Sequence, residues 1–139
     1  MSEIEFCEVV IIAVPTPLND KKTPDISLLK EAIASLEGNL SPKTLIINES
    51  TSYPGTLRNL VAAKLGNHFL YAAAPERVDP GSSNWNIRNT PRVIGGLSSE
   101  ASEKAYNFYS KICEKVLVVS SPEVAEAAKL LENTFRSEE

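Results

Sequence analysis

The stretch Val9-Val10-Ile11-Ile12-Ala13-Val14-Pro15-Thr16-Pro17 decides the fold. Its first six residues are apolar, mostly β-branched and without polar alternation, which predicts a strand over residues 9–14 that is buried on both faces, as in a parallel sheet covered by helices. The two prolines end this strand because proline has no N–H to donate to a sheet. Thr16 therefore lies at the carboxyl end of the strand, where open α/β sheets bind ligands. A simple strand end is the alternative.

The rest of the chain repeats this order of strand, polar turn and helix. Further apolar strands are predicted at residues 44–48, 68–73, 92–94 and 116–119. Helices are predicted at residues 25–37, at a short segment ending at 65, at residues 98–113 and from 121 onward. This alternation predicts one α/β domain over residues 1–139, with a mostly parallel sheet and helices on both of its faces.

Helical spacing indicates which side chains face the core. In the first helix Asp25 is the expected cap and Gly38 the expected left-handed end residue. The inward residues are predicted to be Leu29, Ile33 and Leu36 in the first helix, Ala101, Ala105, Phe108 and Ile112 in the third, and Val124, Ala128, Leu131 and Phe135 in the last.

The last helix is predicted to begin with Ser121 as its cap and Pro122 at its first position. Lys129, Asn133 and Arg136 are spaced by four and three residues, so they share the side opposite the apolar stripe. A solvated helix face is the ordinary explanation for such a set.

Composition excludes several classes of protein. A net charge of −4 and a pI near 5.1 argue against nucleic-acid binding, which needs a basic face. No apolar run approaches the roughly 20 residues that span a bilayer, and the acidic start does not resemble a secretory signal, so the sequence predicts a cytoplasmic protein without a membrane partner. Cys7 and Cys113 are too few and too far apart for a zinc or disulfide motif and are expected to be buried thiols.

Five polar segments, in this order and spacing, resemble the UDP-glucose/GDP-mannose dehydrogenase family, the NAD-dependent nucleotide-sugar 6-dehydrogenases. They are Ala13–Pro17, Glu49–Thr51 with Pro54–Thr56, Pro75–Gly81, Pro91–Gly96 and Ala127–Arg136. The segment Pro75–Gly81, with Arg77-Val78 after its Pro-Glu, is followed by Pro91–Gly96, and together they are most similar to the branch that oxidises UDP-N-acetylglucosamine or UDP-N-acetylmannosamine for surface polysaccharide precursors. UDP-glucose enzymes typically have Phe-Leu there, and a UDP-glucose 6-dehydrogenase is the alternative.

The resemblance implies a division of the chain. Residues up to about 120 correspond to the second half of a Rossmann-like NAD-binding domain, and residues from about 121 to 139 to the start of the central substrate-binding and dimerisation region. The full-length enzyme is expected to be a homodimer that takes NAD as cofactor and a UDP-sugar as substrate.

The resemblance also implies a reaction, the oxidation of the sugar C6 alcohol to a carboxylate through a cysteine-bound thioester. Lys129 and Asn133 match the groups that stabilise the oxyanion at C6. Glu76 matches the general base for water, and Thr51 matches a residue that holds this water or the nicotinamide.

The remaining matched positions bind ligands. Thr16 and Thr51 match cofactor contacts, and the substrate contacts are Arg77, Val78, Lys129, Asn133 and Arg136. Arginine suits this task because its guanidinium binds phosphate or carboxylate oxygens through two parallel hydrogen bonds. An exposed charge at Glu76 and ordinary turn hydroxyls at the threonines are the alternatives.

The sequence departs from the family in two places. It has no Gly-x-Gly-x-x-Gly turn for a pyrophosphate, and neither cysteine lies where the nucleophile is expected. The 139-residue chain is therefore expected to be a fragment without dehydrogenase activity, with an unpaired edge at Val9–Val14 that favours self-association. A non-catalytic nucleotide-binding module remains the main rival, and a 3-hydroxy acid dehydrogenase is a further alternative.

Overall fold

The computed structural model describes residues 9–14, 25–50, 53–75 and 91–129, which form a five-stranded sheet with helices on both faces. The elements are β1 (Val9–Ile12), α1 (Ser27–Leu36), β2 (Leu45–Asn48), a π-helical segment (Leu57–Ala62) that continues into α2 (Ala63–Leu65), β3 (Leu70–Ala73), β4 (Arg92–Gly96), α3 (Ser99–Ser110), β5 (Val116–Val118) and α4 (residues 122–129).

The sheet is mostly parallel, as the sequence predicts. The strands lie in the order β1-β2-β3-β4-β5, and every neighbouring pair is parallel except β3 and β4. In the antiparallel pair Ala73 lies opposite Gly95, so β4 begins at the edge of the sheet where β3 ends. The carboxyl end of β3 and the amino end of β4 therefore lie at the same side of the sheet.

Alternate residues of β2 show that both faces of the sheet are covered. Ile46 packs into a core with Leu29 and Ile33 of α1, whereas Leu45 and Ile47 pack on the other face in a core that α3 covers. All four residues of β2 are buried. This confirms helices on both faces of a central apolar strand.

The first strand departs from its prediction. It ends at Ile12 rather than Val14, and only Ile12 is fully buried, while the side chain of Ile11 is 41% exposed. In the described part of the chain β1 pairs only with β2, so it is an edge strand without helix cover over Ile11. The prediction of burial on both faces is therefore wrong for this strand.

The first helix follows its predicted pattern closely. Leu29, Ile33 and Leu36 are buried, and Gly38 adopts the left-handed conformation with φ of 77°. Asp25 lies one residue before the cap position but still accepts a hydrogen bond from the Ser27 N–H at 2.9 Å. The carboxylate therefore satisfies one of the free N–H groups at the start of α1.

The third helix confirms only part of its predicted inward face. Ala101 and Ala105 are buried as expected, but Tyr109 takes the next inward position, Phe108 is half-buried, and Ile112 is 38% exposed. Ile112 lies beyond the end of α3 at Ser110, so helical spacing no longer determines where it points. Cys113 is buried, as predicted, and Cys7 lies outside the described residues.

The start of α4 lies in close contact with β4. A Cβ added to Gly95 would overlap the carbonyl of Ser121, directly before α4, so glycine is required for this approach. The Ser121 Oγ accepts a hydrogen bond from the Val124 N–H at 3.3 Å, which confirms Ser121 as the cap. Within the described residues no helix is both long and apolar enough to cross a membrane.

Candidate functional site

The carboxyl ends of β1, β2 and β3 lie side by side at one edge of the sheet. The Glu49 N–H donates to the Ile12 carbonyl at 2.8 Å, and the Ala74 N–H donates to the Asn48 carbonyl at 3.0 Å. Just beyond β1, the Val14 N–H donates to the Ser50 Oγ at 2.9 Å. The polar turns after these three strands therefore start from a common edge, which is where α/β sheets bind their ligands.

A buried arginine connects the turns after β2 and β3. Arg92, at the start of β4, is only 3% exposed, and its Nη1 donates to the carbonyls of Ala74 at 3.0 Å and Pro75 at 3.4 Å. The same nitrogen lies 3.6 Å from Glu49 Oε2. Because Glu49 and Pro75 belong to different turns, Arg92 fixes the two turns relative to each other.

Tyr109 of α3 completes this buried cluster. Its ring lies under the guanidinium of Arg92, with 4.8 Å from Cζ to the ring centroid, and its hydroxyl donates to Glu49 Oε2. Burial raises the pKa of Tyr109 well above its ordinary value, and the hydrogen bond to Glu49 raises it further. The phenol therefore stays neutral and available as a donor to the carboxylate.

A second buried carboxylate connects α4 to the segment after β2. Glu126 is 1% exposed, and its Oε1 and Oε2 accept hydrogen bonds from the backbone N–H groups of Gly55 at 2.9 Å and Leu57 at 3.0 Å. These N–H groups lie at the start of the π-helical segment, where a negative charge is favourable. Glu126 therefore holds α4 beside the edge of the sheet where the polar turns start.

The buried side of α4 differs from the predicted one. Ala125, Glu126 and Lys129 are buried, whereas Val124 is 43% exposed and Ala128 is exposed. The predicted apolar stripe is therefore wrong at Val124 and Ala128, and Leu131 and Phe135 lie outside the described residues. The reason is physical: two charged residues occupy the inward face, and at least Glu126 has donors there that offset its desolvation.

Of the predicted site residues, the structure describes Lys129. Its 9% exposure excludes the solvated-face explanation for this residue and places it on the same side of α4 as Glu126. The other predicted site residues lie outside the described residues; they are Thr16, Thr51, Glu76, Arg77, Val78, Asn133 and Arg136. Thr51 follows the described Ser50 directly, and Glu76 follows Pro75, so the chain enters both positions from the common edge.

Sequence reasoning did not assign roles to Glu49, Arg92, Tyr109 and Glu126. Two weak signals were available. Arg92 opens an otherwise apolar strand, and Glu126 precedes Lys129 by three residues, which places the two on neighbouring positions of one helix face. Neither signal distinguishes a buried charge from an exposed one.

The turns after β1 and β2 start within hydrogen-bonding distance of each other, at the ends of two adjacent parallel strands, which is where α/β sheets bind dinucleotides. In the sequence Thr16 is two residues after Val14, and Thr51 comes directly after Ser50. Among the described ranges, no three His, Cys, Asp or Glu side chains converge in a way that would hold a metal ion.

A pocket elsewhere has a different character. It has a volume of about 220 Å³ and lies between the end of α1 and the start of β3, with Leu36, Leu40, Leu65 and Phe69 among its lining residues. This position is near the amino end of β3, opposite the edge where the polar turns start. Glu37 and Lys64 also line this pocket and form an exposed ion pair at 3.8 Å, but they lie apart from the candidate site.

Fold and edge together define an α/β domain of the type that binds dinucleotides at the carboxyl ends of its strands. Comparison with known proteins agrees: the model of the UDP-glucose/GDP-mannose dehydrogenase family, NAD binding domain, matches residues 1–113. The chain therefore belongs to this family, and its cofactor is NAD.

The similar proteins are dehydrogenases of nucleotide sugars. The chain is 32% identical to the UDP-N-acetyl-D-glucosamine 6-dehydrogenase of Pseudomonas aeruginosa, over 98% of this chain and 34% of that protein. It is 36% identical to the UDP-N-acetyl-D-mannosamine dehydrogenase of Pyrococcus horikoshii, again over 98% and 34%. The chain thus spans about a third of the length of these relatives.

Solved structures show the same similarity. The UDP-N-acetyl-mannosamine dehydrogenase Cap5O from Staphylococcus aureus superposes with a TM-score of 0.83 at 33% identity, covering 93% of this chain and 34% of that one. A GDP-mannose dehydrogenase at 20% identity and a mycobacterial 3-hydroxyisobutyrate dehydrogenase at 18% share the fold, with TM-scores of 0.82 and 0.70.

Proposed function

We propose that this chain is part of an NAD-dependent UDP-N-acetylhexosamine 6-dehydrogenase that acts on UDP-N-acetylglucosamine or its manno epimer. The observation that carries the proposal is the buried polar framework at the sheet edge. Arg92 connects the turns after β2 and β3, and Glu126 anchors the Lys129 helix beside the first of them. The names of the relatives and the Arg77-Val78 pair support the N-acetylhexosamine branch.

The proposed reaction converts the sugar C6 alcohol to a carboxylate. Overall, R–CH2OH + 2 NAD⁺ + H2O gives R–COO⁻ + 2 NADH + 3 H⁺. NAD, when bound, accepts a hydride from C6 in each of the two oxidation steps. A cysteine thiolate holds the carbon as a thiohemiacetal and then as a thioester, which water hydrolyses.

Lys129 and Asn133 are proposed to stabilise the negative charge that develops on the C6 oxygen. They are four residues apart in the sequence, a spacing that would place both on one side of a helix that continued beyond Lys129. The burial of Lys129 supports this role, because a cation with little access to water interacts more strongly with a developing oxyanion. Anchored residues on a rigid helix also need no reorganisation during the reaction.

Glu76 is proposed to deprotonate the water that attacks the thioester, with Thr51 holding this water or the nicotinamide end of the cofactor. A general base must lie within hydrogen-bonding reach of its proton, so its backbone needs a fixed position. The contacts of Arg92 with the carbonyls of Ala74 and Pro75 support such a position, because they fix the chain directly before Glu76.

The remaining matched residues are proposed to bind ligands. Thr16 contacts the cofactor, and Arg77, Val78 and Arg136 contact the UDP-sugar. Cys113 is buried in the core on the α3 side, which supports a nucleophilic cysteine elsewhere in the full protein. The full enzyme is proposed to be a cytoplasmic homodimer that supplies precursors of surface polysaccharides, with residues from about 121 onward at the start of its central region.

The test uses the protein expressed from the complete reading frame that contains this chain. NADH formation is followed by absorbance with NAD and UDP-N-acetylglucosamine, UDP-N-acetylmannosamine or UDP-glucose. We expect two NADH per sugar and the highest kcat/KM with an N-acetylhexosamine. Preference for UDP-glucose would instead favour the alternative substrate. A UDP-glucose dehydrogenase with 26% identity is also among the proteins of similar structure. Absence of NADH with all three sugars would refute the proposal.

A further inference from the structure

The carboxylate of Glu126 occupies a position where an anion is costly. Its side chain is 1% exposed, and a buried carboxylate is unfavourable unless strong donors surround it. Two of its contacts are the backbone N–H groups of Gly55 and Leu57, one on each oxygen. An apolar side chain would fill this space at a lower cost of desolvation, so the carboxylate does more than fill the core.

Two bonds constrain a helix more than one does. One hydrogen bond would leave the plane of the carboxylate free to turn, whereas bonds to both oxygens fix that plane and, together with the packing of Ser121 on Gly95, restrain the rotation and axial position of α4. The partners lie 71 and 69 residues earlier in the sequence. The anchoring is therefore a tertiary contact with the segment after β2.

Lys129 follows Glu126 by three residues, about 4.5 Å along the helix axis. Side chains of a helix reach about 5–6 Å from its axis, so a rotation of α4 by about 20° would displace the end of a side chain by about 2 Å. A misplacement of about 1 Å at a reacting centre can reduce the rate by about a hundredfold. The position of the amine therefore depends strongly on the anchor.

We infer that Glu126 is a positioning residue that acts through Lys129: its carboxylate sets the rotation of α4 and so aims the lysine at the reacting oxygen. This inference rests on the proposed function, in which Lys129 stabilises charge at C6. It concerns the orientation of α4 and assigns Glu126 no contact with substrate or cofactor.

The experiment is a double-mutant cycle in the protein expressed from the complete reading frame. The variants are Glu126→Gln, Lys129→Met and their combination, assayed for kcat and KM by NADH formation. Glu123→Gln is the matched control, because Glu123 lies on the same helix and pairs with Arg58 at the surface. Circular dichroism and thermal unfolding show whether each variant is folded.

We expect Glu126→Gln to lower kcat by about tenfold while each KM changes by less than about threefold, since the anchor acts on the chemical step. In the Lys129→Met background the same change should lower kcat by less than about twofold, because the lysine through which it acts is gone. Glu123→Gln should leave kcat unchanged. Glu126→Asp retains the charge but is one methylene shorter, and it should show the same non-additive loss.

Additive losses, about tenfold in both backgrounds, would show a general structural role and overturn the inference. A kcat of Glu126→Gln and Glu126→Asp equal to that of the wild type would overturn it as well. A wild-type protein that forms no NADH with any UDP-hexose would instead overturn the proposed function on which the inference rests.

Discussion

Removal of the Arg92 side chain should destabilise the fold far more than removal of a surface arginine. In Arg92→Met, the Glu49 carboxylate loses its buried partner at 3.6 Å, and the carbonyls of Ala74 and Pro75 lose their donor. Breaking one side of a buried ion pair costs about 3–5 kcal/mol. Because the Glu49 side chain keeps 12% exposure, we expect about 3 kcal/mol, at the lower end of that range.

The chain offers a matched control in a second arginine–glutamate pair. Arg58 and Glu123 lie 2.7 Å apart, but their side chains are 51% and 33% exposed, so Arg58→Met should destabilise the fold much less than Arg92→Met. The double variant Arg92→Met/Glu49→Gln should recover about 1–2 kcal/mol relative to Arg92→Met, because no unpaired buried charge remains. Tyr109 can still donate to the amide oxygen.

Urea unfolding followed by circular dichroism measures these differences as shifts of the transition midpoint at constant slope. Equal losses for Arg92→Met and Arg58→Met would refute the reasoning, since it assigns the larger loss to the buried pair and to the backbone carbonyls that Arg92 also contacts. A double variant less stable than Arg92→Met would show that the Glu49 carboxylate stabilises the fold without Arg92, through its hydrogen bond with the Tyr109 hydroxyl, and would refute charge compensation by Arg92.

Three further predictions concern other contacts. Gly95→Ala should lower the free energy of unfolding by about 1–3 kcal/mol, because the added methyl overlaps the Ser121 carbonyl; a thermal midpoint equal to that of the wild type would contradict this packing. Burial raises the pKa of Tyr71 to about 12, because the core favours the neutral phenol over the charged phenolate. The stabilisation that the neutral Tyr71 gives the folded state is present below pH 10.0, the ordinary pKa, and is lost as the pH rises from there through about 12. Tyrosinate absorbance should show this group titrating together with alkaline unfolding, and titration at its ordinary value in the folded protein would refute it. The hydrogen bond from Arg58 lowers the pKa of Glu123, so the small stabilisation from this exposed pair is present above 4.5 and lost as pH falls below it; Arg58→Gln should remove that part of the acid dependence, and an unchanged acid profile would contradict it.

The sequence by itself determined the fold class and most of the elements. Apolar runs such as that at Leu45–Asn48 fix buried strands, and the spacing of Leu29, Ile33 and Leu36 fixes the buried face of α1, because these patterns depend only on local geometry and on burial of apolar surface. The five matched segments, in their order and spacing, likewise indicated the resemblance to the dehydrogenase family, which the family comparison confirms.

Only the tertiary structure decided which charged residues are buried. Hydrophobic periodicity assigns charges to the solvent side, so it placed Val124 inward and left Arg92, Glu126 and Lys129 without a burial signal. The cost of burying Arg92 and Glu126 is offset by partners such as Gly55 and Pro75, which are distant in sequence and meet them only when the sheet and helices have assembled. The exposure of Ile11 has the same origin, because a strand becomes an edge strand only through its neighbours in space.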